Sequence, residues 1–181
     1  MHAELDDILK PAQHNVQQSA PQTAELSVIV PTYNERGNVS ELLKRLINVL
    51  EGTNWEVIFV DDDSSDGTLD ELRALAQSDP RVRYLHRLNR RGLASAVTEG
   101  IQSTSSPFIA VIDADLQHDE QRLPEMLDQL KRTECDLVVG SRYVTSGGIG
   151  DWHKARAKLS QYGTWLTQKL TKTQLTDPLS G

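Results

Sequence analysis

Short apolar runs alternate with helical periodicities from Leu26 onward. The first run, Leu26 to Val30, is stopped by Pro31 and reads as a buried strand. Apolar positions at helical spacing follow it, behind two candidate capping residues, Asn34 and Asn38. The same order then repeats, which predicts strands at 26–30, 55–60, 82–85, 108–112 and 137–140, and helices at 39–50, 69–76, 93–101 and 123–130. The alternation predicts an α/β domain with a mainly parallel sheet and helices on both faces.

Residues 1–24 differ from this pattern. They mix Gln, Ala, Pro and Asn with little periodicity, and they lack the basic start and long apolar stretch of a signal peptide. We therefore expect a flexible tail over residues 1–24 and a single domain over residues 25–181.

Composition narrows the class of protein. The 181 residues are 38% hydrophobic, and 19 basic against 26 acidic residues give a net charge of −7, which disfavours non-specific binding to nucleic acid. The longest apolar runs are shorter than the roughly 20 residues of a membrane span. Cys135 is the only cysteine, which excludes an internal disulfide and a multi-cysteine zinc site. A reducing, cytoplasmic location is the expectation.

Acidic residues concentrate in the loops that follow the predicted strands. In open parallel sheets, ligands bind beyond the carboxyl ends of the strands. Asp61, Asp62 and Asp63 are consecutive, and ionised carboxylates at such spacing need cations or hydrogen-bond donors. Capping alone explains Asp66 but not all three, so the pattern favours a functional loop.

A second acidic loop follows the strand at 108–112. Asp113, Asp115 and Gln117 share the parity of an extended segment, so we expect their oxygens to face one point. Such oxygens suit Mg²⁺ or Mn²⁺ bound together with substrate phosphates. His118 is either a further ligand or a hydrogen-bonding or packing residue, and the second interpretation is favoured.

Five motifs together resemble an inverting family 2 glycosyltransferase with the GT-A fold, and most closely the dolichol-phosphate mannose synthase group. They are Ile29 to Glu35, Val60 to Thr68, Asn89 to Leu93, Asp113 to His118 and Gly140 to Tyr143. Each motif alone is weak, but the five occur in register along one chain.

The resemblance implies roles for individual residues. Four help to hold the nucleotide base and ribose: Pro31, Tyr33, Glu35 and Asp62. Three hold the metal and the diphosphate: Asp113, Asp115 and Gln117. Val60 and Ala114 belong to the implied substrate-binding set, Arg142 and Arg156 contact phosphate, and Asp115, Arg142 and Arg156 form the implied catalytic set.

The implied reaction moves a hexose from a nucleotide sugar to a polyprenyl phosphate with inversion, and it depends on Mg²⁺ or Mn²⁺. Mannose from GDP-mannose is the leading donor, with UDP-glucose or a related donor as the alternative. A sugar hydroxyl as acceptor would need a general base, for which Asp119 and Glu120 are the nearby candidates, although both also suit the start of the next helix.

Two other classes of protein fit the pattern less well. A phospho-receiver domain also carries acidic residues at strand ends, but its acidic pair follows the first strand, whereas here residues 26–50 come earlier. No lysine follows the predicted strand at 137–140. A dinucleotide-binding oxidoreductase lacks support because no GxGxxG motif follows the first strand.

The last forty residues have a different character. An amphipathic pattern over Lys154 to Lys172 is basic, which is compatible with contact at the cytoplasmic face of a membrane or with packing on the domain. The closing residues, Asp177 to Gly181, resemble the start of a family signature that continues into acceptor-side elements. We expect those elements to lie in a longer protein.

Overall fold

The computed structural model describes residues 23–140, and within them it forms an α/β domain. The strands are β1 (Leu26–Thr32), β2 (Trp55–Asp61), β3 (Val82–His86) and β4 (Phe108–Val111). The helices are α1 (Asn38–Val49), α2 (Thr68–Ser78), α3 (Leu93–Gln102) and α4 (Leu123–Arg132), with a 3₁₀ turn at Glu120–Arg122 before α4. The strands form one parallel sheet in the order β3-β2-β1-β4. The predicted class is confirmed.

Alternate residues of the central strands supply two apolar layers. On β1, Val28 and Val30 pack with residues of α1, α2 and α4, whereas Ile29 packs with Ile58, Val60 and Ala96 under α3. Each central strand is buried on both faces, which explains why its sequence is a continuous apolar run rather than an alternating one.

Helix α1 begins differently from the sequence prediction. Neither Asn34 nor Asn38 caps it; the position before the helix is Gly37, in the left-handed region at φ 89°. The carboxylate of Glu71, on α2, instead accepts hydrogen bonds from the Gly37 N–H at 2.9 Å and from the Ser40 hydroxyl. The prediction was wrong because a residue distant in sequence satisfies the free end of α1.

The amino-terminal edge of the sheet is closed by a polar network. Glu56 accepts hydrogen bonds from Ser27 and Thr104, each at 2.6 Å, and from Arg83 at 2.9 Å. Burial raises the pKa of Glu56, but these donors outweigh it and hold the pKa below its ordinary value. The network joins β1, β2 and β3 at the end of the sheet opposite the acidic loops.

The strand predicted at residues 137–140 is wrong. The structure gives these residues no β-strand, and the side chains of Leu137 and Val139 are 71% and 40% exposed. An apolar run predicts burial, but a strand also needs a neighbour for its backbone hydrogen bonds, and nothing in the run itself specifies that neighbour.

Several sequence predictions fall outside residues 23–140. They concern nearly all of the predicted tail at 1–24, Arg142, Arg156, the basic segment at 154–172 and the closing residues 177–181. Among the described helices, none has the length and apolar character that crossing a bilayer requires.

Candidate active site

Strained backbone marks the carboxyl edge of the sheet. Within residues 23–140, four residues other than glycine have positive φ, one after each strand: Asn34 at 58°, Asp63 at 59°, Asn89 at 54° and Leu116 at 61°. Asn and Asp tolerate this conformation, but leucine does so only when its surroundings impose it. Such strain clusters at functional sites, which makes this edge the candidate site.

The loop after β1 is held by the loop after β2. The Asn34 N–H donates to Ser64 Oγ at 2.9 Å, and the Asn34 side-chain oxygen accepts from the Ser65 N–H at 3.0 Å. Next along the chain, the Glu35 N–H donates to Thr68 Oγ1 at 2.9 Å and the Arg36 N–H to Asp66 at 3.0 Å. The two loops therefore form one unit.

Asp61 is a structural residue of this unit. It is fully buried, and its carboxylate accepts from Thr32 Oγ1 at 3.2 Å, from Ser64 Oγ at 2.6 Å and from the Ser64 N–H at 3.0 Å. Its oxygens close the turn after β2 and face no open space.

Asp62 is paired with a buried arginine. One oxygen accepts from the Arg87 guanidinium and the other from the Gly92 N–H at 2.7 Å, and the Asp62 side chain is only 10% exposed. Gly92 has φ 137°, a conformation that suits glycine. The carboxylate thus ties the β3–α3 loop to β2.

Asp63 completes the set. One oxygen lies 2.9 Å from His86 Nε2, and the other accepts from the Asn89 N–H at 3.2 Å. The hydrogen bond with His86 is the main cause that lowers the pKa of Asp63 below its ordinary value of 3.8. All three consecutive carboxylates therefore find donors within the protein, the Arg87 cation among them, without a metal ion.

Arg87 was missed by the sequence analysis. It is 3% exposed, and it sits among charged and polar residues of the β3–α3 loop. Hydrophobic periodicity does not indicate that Arg87 is buried, because an arginine directly after a strand is ordinarily exposed to solvent. The one available hint was the need of Asp61, Asp62 and Asp63 for positive partners.

The loop after β4 is built differently from the prediction. The chain turns at Ala114 and Asp115 instead of continuing as an extended segment, and the Gln117 N–H donates to Asp115 Oδ1 at 3.0 Å. The parity argument for Asp113, Asp115 and Gln117 was therefore wrong, because β4 ends at Val111 and side chains do not alternate through a turn. Asp115 and Gln117 are exposed, and the Asp113 side chain is 39% exposed.

His118 braces this turn. Its Nδ1 accepts the Asp113 N–H at 3.1 Å, and its Nε2 lies 3.7 Å from the Asp113 carboxylate. With Nδ1 engaged as an acceptor, His118 acts as a hydrogen-bonding residue, which was the favoured interpretation.

The residues of this turn suit a divalent cation that takes some of its ligands from the protein and the others from a substrate. Between residues 23 and 140, no group of three His, Cys, Asp or Glu side chains is arranged to hold a metal ion. Asp113 and Asp115 offer accessible carboxylate oxygens, the hard donors that Mg²⁺ and Mn²⁺ prefer. Such a pair suits a cation whose remaining positions are filled by phosphate oxygens and water.

The other implied substrate-binding residues lie around the same edge. Tyr33 is 41% exposed and has the guanidinium of Arg91 stacked 4.2 Å from its ring centre. Pro31 and Glu35 are partly buried, and Glu35 accepts from the Asn38 side chain at 2.7 Å. By contrast, the side chains of Val60 and Ala114 belong to the core, being 0% and 3% exposed. Arg142 and Arg156 lie outside the described residues.

Several known proteins are similar to this chain in sequence or in structure. The protein is 38% identical over 160 residues to the dolichol-phosphate mannosyltransferase of Pyrococcus furiosus, a match that covers 87% of this chain and 45% of that one. The crystal structure of the Mycobacterium tuberculosis glucosyl-3-phosphoglycerate synthase matches 61% of this chain and 42% of its own, at 25% identity and a TM-score of 0.50. The mannosyltransferase PcManGT of Pyrobaculum calidifontis, in complex with GDP-Man and Mn²⁺, matches 56% of this chain and 30% of its own, at 28% identity and a TM-score of 0.48.

The match to curated relatives is partial on their side. The chain spans 45–59% of the length of three relatives that all bear the name dolichol-phosphate mannosyltransferase. The model of the family described as glycosyl transferase family 2 matches residues 27–180. That range contains the acidic loops, the implied phosphate-binding arginines and all of the described strands except the first residue of β1, and the chain therefore belongs to glycosyl transferase family 2.

Proposed function

We propose that this chain transfers a hexose from a nucleotide sugar to a polyprenyl phosphate with inversion at the anomeric carbon. Mannose from GDP-mannose is the leading donor, and UDP-glucose is the alternative. The observation that carries the proposal is the 38% identity to a dolichol-phosphate mannosyltransferase over 87% of this chain.

In this proposal the two acidic loops bind different parts of the nucleotide sugar. The turn after β4 receives the diphosphate, with a divalent cation held by Asp113 and Asp115 and with Gln117 beside them. When bound, Mg²⁺ or Mn²⁺ would neutralise charge on the departing nucleoside diphosphate. Arg142 and Arg156 add cationic donors for the same phosphates, a task for which the planar guanidinium is well suited.

The nucleoside lies at the joined loops after β1 and β2. Tyr33 offers an exposed ring at this edge, and Asp62 offers a carboxylate whose direction is fixed by Arg87 and Gly92. Pro31 and Glu35 complete the set. Each Asp62 oxygen already accepts one hydrogen bond and retains capacity for an N–H or O–H group of the nucleoside.

The state of Asp119 and Glu120 favours a phosphate acceptor over a sugar hydroxyl. Asp119 accepts from the Gln121 N–H at 3.3 Å at the start of the 3₁₀ turn, and Glu120 is 8% exposed with Arg45 at 3.4 Å. Both candidate bases are thus engaged in local structure. A phosphate oxygen is already anionic at neutral pH, so its attack requires positioning and charge stabilisation but no strong base. Since the proposed acceptor is a lipid, we place the reaction at the cytoplasmic surface of a membrane.

Transfer of labelled sugar tests the proposal. Purified protein is incubated with radiolabelled GDP-mannose or UDP-glucose, polyprenyl phosphate and Mn²⁺, and the lipid fraction is extracted. Because the acceptor-side elements are expected in a longer protein, we expect slow transfer to the lipid, with part of the label released as free sugar. Both products should depend on Mn²⁺ and be lost in Asp115→Asn, with Asp70→Asn on the exposed face of α2 as the matched control. Absence of both products with both donors would overturn the proposed reaction.

A further inference from the structure

The buried Arg87 guanidinium joins the beginning of the β3–α3 loop to its end. Its Nη1 donates to Asp62 and, at 3.3 Å, to the Gly92 carbonyl; its Nη2 donates to Ser95 Oγ. Because Gly92 also donates its N–H to Asp62, residues 87–95 wrap around one ion pair.

Charge in this cluster is balanced. Arg87 Nε lies 3.3 Å from Glu99 Oε1, near enough for an ion pair, although this buried N–H makes no hydrogen bond. Glu99 also pairs with Arg90, so two cations face the two anions Asp62 and Glu99. A buried arginine with such partners holds a defined geometry, because every alternative leaves a charge unpaired.

The same loop reaches the second implied nucleoside contact. The guanidinium of Arg91, four residues after Arg87 in the chain, lies 4.2 Å from the ring centre of Tyr33. The β3–α3 loop therefore touches both Asp62 and Tyr33, and Arg87 is its buried anchor.

We propose that Arg87 is a positioning residue for the nucleoside half of the donor site. Arg87 does not contact the nucleotide sugar itself. It fixes the Asp62 carboxylate in one orientation and holds the loop that carries Arg91 against Tyr33. This inference rests on the proposed function, since it assumes that Asp62 and Tyr33 receive a nucleotide.

Lysine in place of Arg87 is the informative change. It keeps the positive charge but replaces a planar fork by a point donor, which cannot serve Asp62, Gly92 and Ser95 in the same geometry. The matched control is Arg81→Lys at the amino end of the same strand, where the guanidinium bonds Asp79 at 3.0 and 2.6 Å, distant from the acidic loops.

Calorimetry with GDP and UDP, in Mn²⁺ and in EDTA, measures the effect well below the unfolding temperature of each variant. For the nucleotide that the wild type prefers, we expect Arg87→Lys to weaken binding about tenfold, the scale of one hydrogen bond to a charged group. This loss of affinity should be the same with and without Mn²⁺, because the substitution does not change the turn after β4, where the metal is proposed to bind. The KM for the donor sugar should rise by a similar factor with kcat nearly unchanged, whereas Arg81→Lys should resemble the wild type in both.

Ser95→Ala provides the test if Arg87→Lys fails to fold. Ser95 accepts from Arg87 and donates to the carbonyl three residues earlier at 2.8 Å; Ser78 makes only the second kind of bond, to Leu75 at 2.9 Å. We expect Ser95→Ala, but not Ser78→Ala, to weaken nucleotide binding about threefold, consistent with loss of one ordinary hydrogen bond.

The outcomes separate the two proposals. If the wild type binds neither nucleotide, the proposed function fails and this inference with it. If the wild type binds but Arg87→Lys matches Arg81→Lys within twofold, or loses affinity only in Mn²⁺, the positioning role of Arg87 is overturned and the proposed function stands. For the serine pair, equal affinities of Ser95→Ala and Ser78→Ala have the same meaning.

Discussion

The loops after β2 and β4 are both acidic and lie at the same edge of the sheet, on either side of the loop after β1, yet their carboxylates are used in different ways. Asp61, Asp62 and Asp63 each accept hydrogen bonds from donors within the protein. The turn after β4 leaves Asp115 exposed and Asp113 partly exposed, with one backbone donor on Asp115.

This difference separates carboxylates that hold the fold together from carboxylates that are accessible to a cation. A carboxylate that is buried with its donors stabilises the fold, and any ligand must accept its fixed direction. An exposed carboxylate exchanges water for a cation at little cost to the protein. Clustering of acidic residues in the sequence therefore does not by itself identify the metal ligands: the longer acidic run is the scaffold, and the shorter pair is the accessible one.

The largest expected effect comes from a substitution in the loop after β2, which carries Asp61, Asp62 and Asp63. Asp62→Ala leaves Arg87 buried without its principal partner, and we expect the free energy of unfolding to fall by about 3–5 kcal/mol. Asp113→Ala, on the exposed turn, should change it by less than about 0.5 kcal/mol. Urea unfolding of both variants measures the contrast, and similar losses in the two would contradict the distinction between the loops.

The next effect comes from a substitution in helix α3, which lies next to the loop after β2. A methyl group on Gly100 would lie 2.4 Å from Ile29 Cγ2 and 3.0 Å from Val60 Cγ2, so Gly100→Ala must push α3 away from β1 and β2. Overpacking of this kind costs about 1–3 kcal/mol of unfolding free energy.

Because α3 begins directly after Gly92, nucleotide binding by Gly100→Ala should weaken as well, while the added affinity from Mn²⁺ stays unchanged. Gln102→Ala, on the exposed end of α3, is the control. Thermal unfolding and calorimetry check both parts; a changed Mn²⁺ increment would mean that the two loops are not independent.

A third effect concerns the exposed turn alone. Asp113→Asn should reduce the affinity for a nucleoside diphosphate in Mn²⁺ about tenfold, or about 1.4 kcal/mol, and leave the affinity in EDTA and the unfolding midpoint unchanged. The reason is that an amide oxygen lacks the charge that a divalent cation requires. Unchanged affinity of the wild type on addition of EDTA would remove the metal from this turn.

The smallest effect is the pH dependence of the Asp63–His86 contact. Since the pKa of Asp63 in the folded state lies below its ordinary value of 3.8, the contact stabilises the protein fully above about pH 4, and this contribution is lost as the pH falls through the folded pKa. The difference in unfolding midpoint between the wild type and Asp63→Asn should therefore shrink between pH 5 and about pH 3. A difference that grows over this range would contradict the sign.

The phospho-receiver alternative fails on the order of elements as well as on family membership. A complete strand and helix, Leu26–Thr32 and Asn38–Val49, precede the acidic loop after β2, as the sequence indicated. The family match over residues 27–180 agrees with that exclusion.

The sequence by itself determined the order of the elements within residues 26–132 and the edge of the sheet at which the acidic loops lie. Continuous apolar runs such as Val57 to Val60 require burial on both faces, and helical periodicity between them requires crossover connections, so a parallel sheet follows from local information alone. The acidic loops then have to meet at the carboxyl edge. The five motifs were sufficient to indicate the family.

Only the tertiary structure decided which carboxylates are free. The partners of Asp62 and Asp63 come from Arg87, His86, Asn89 and Gly92, more than 20 residues away, and the cap of α1 comes from Glu71. Hydrogen-bond partners at such separation are set by how helices pack on the sheet, which no short-range pattern encodes. For the same reason, the apolar run at residues 137–140 predicted a strand that the structure does not form, and parity predicted an extended segment where the chain turns at Asp115.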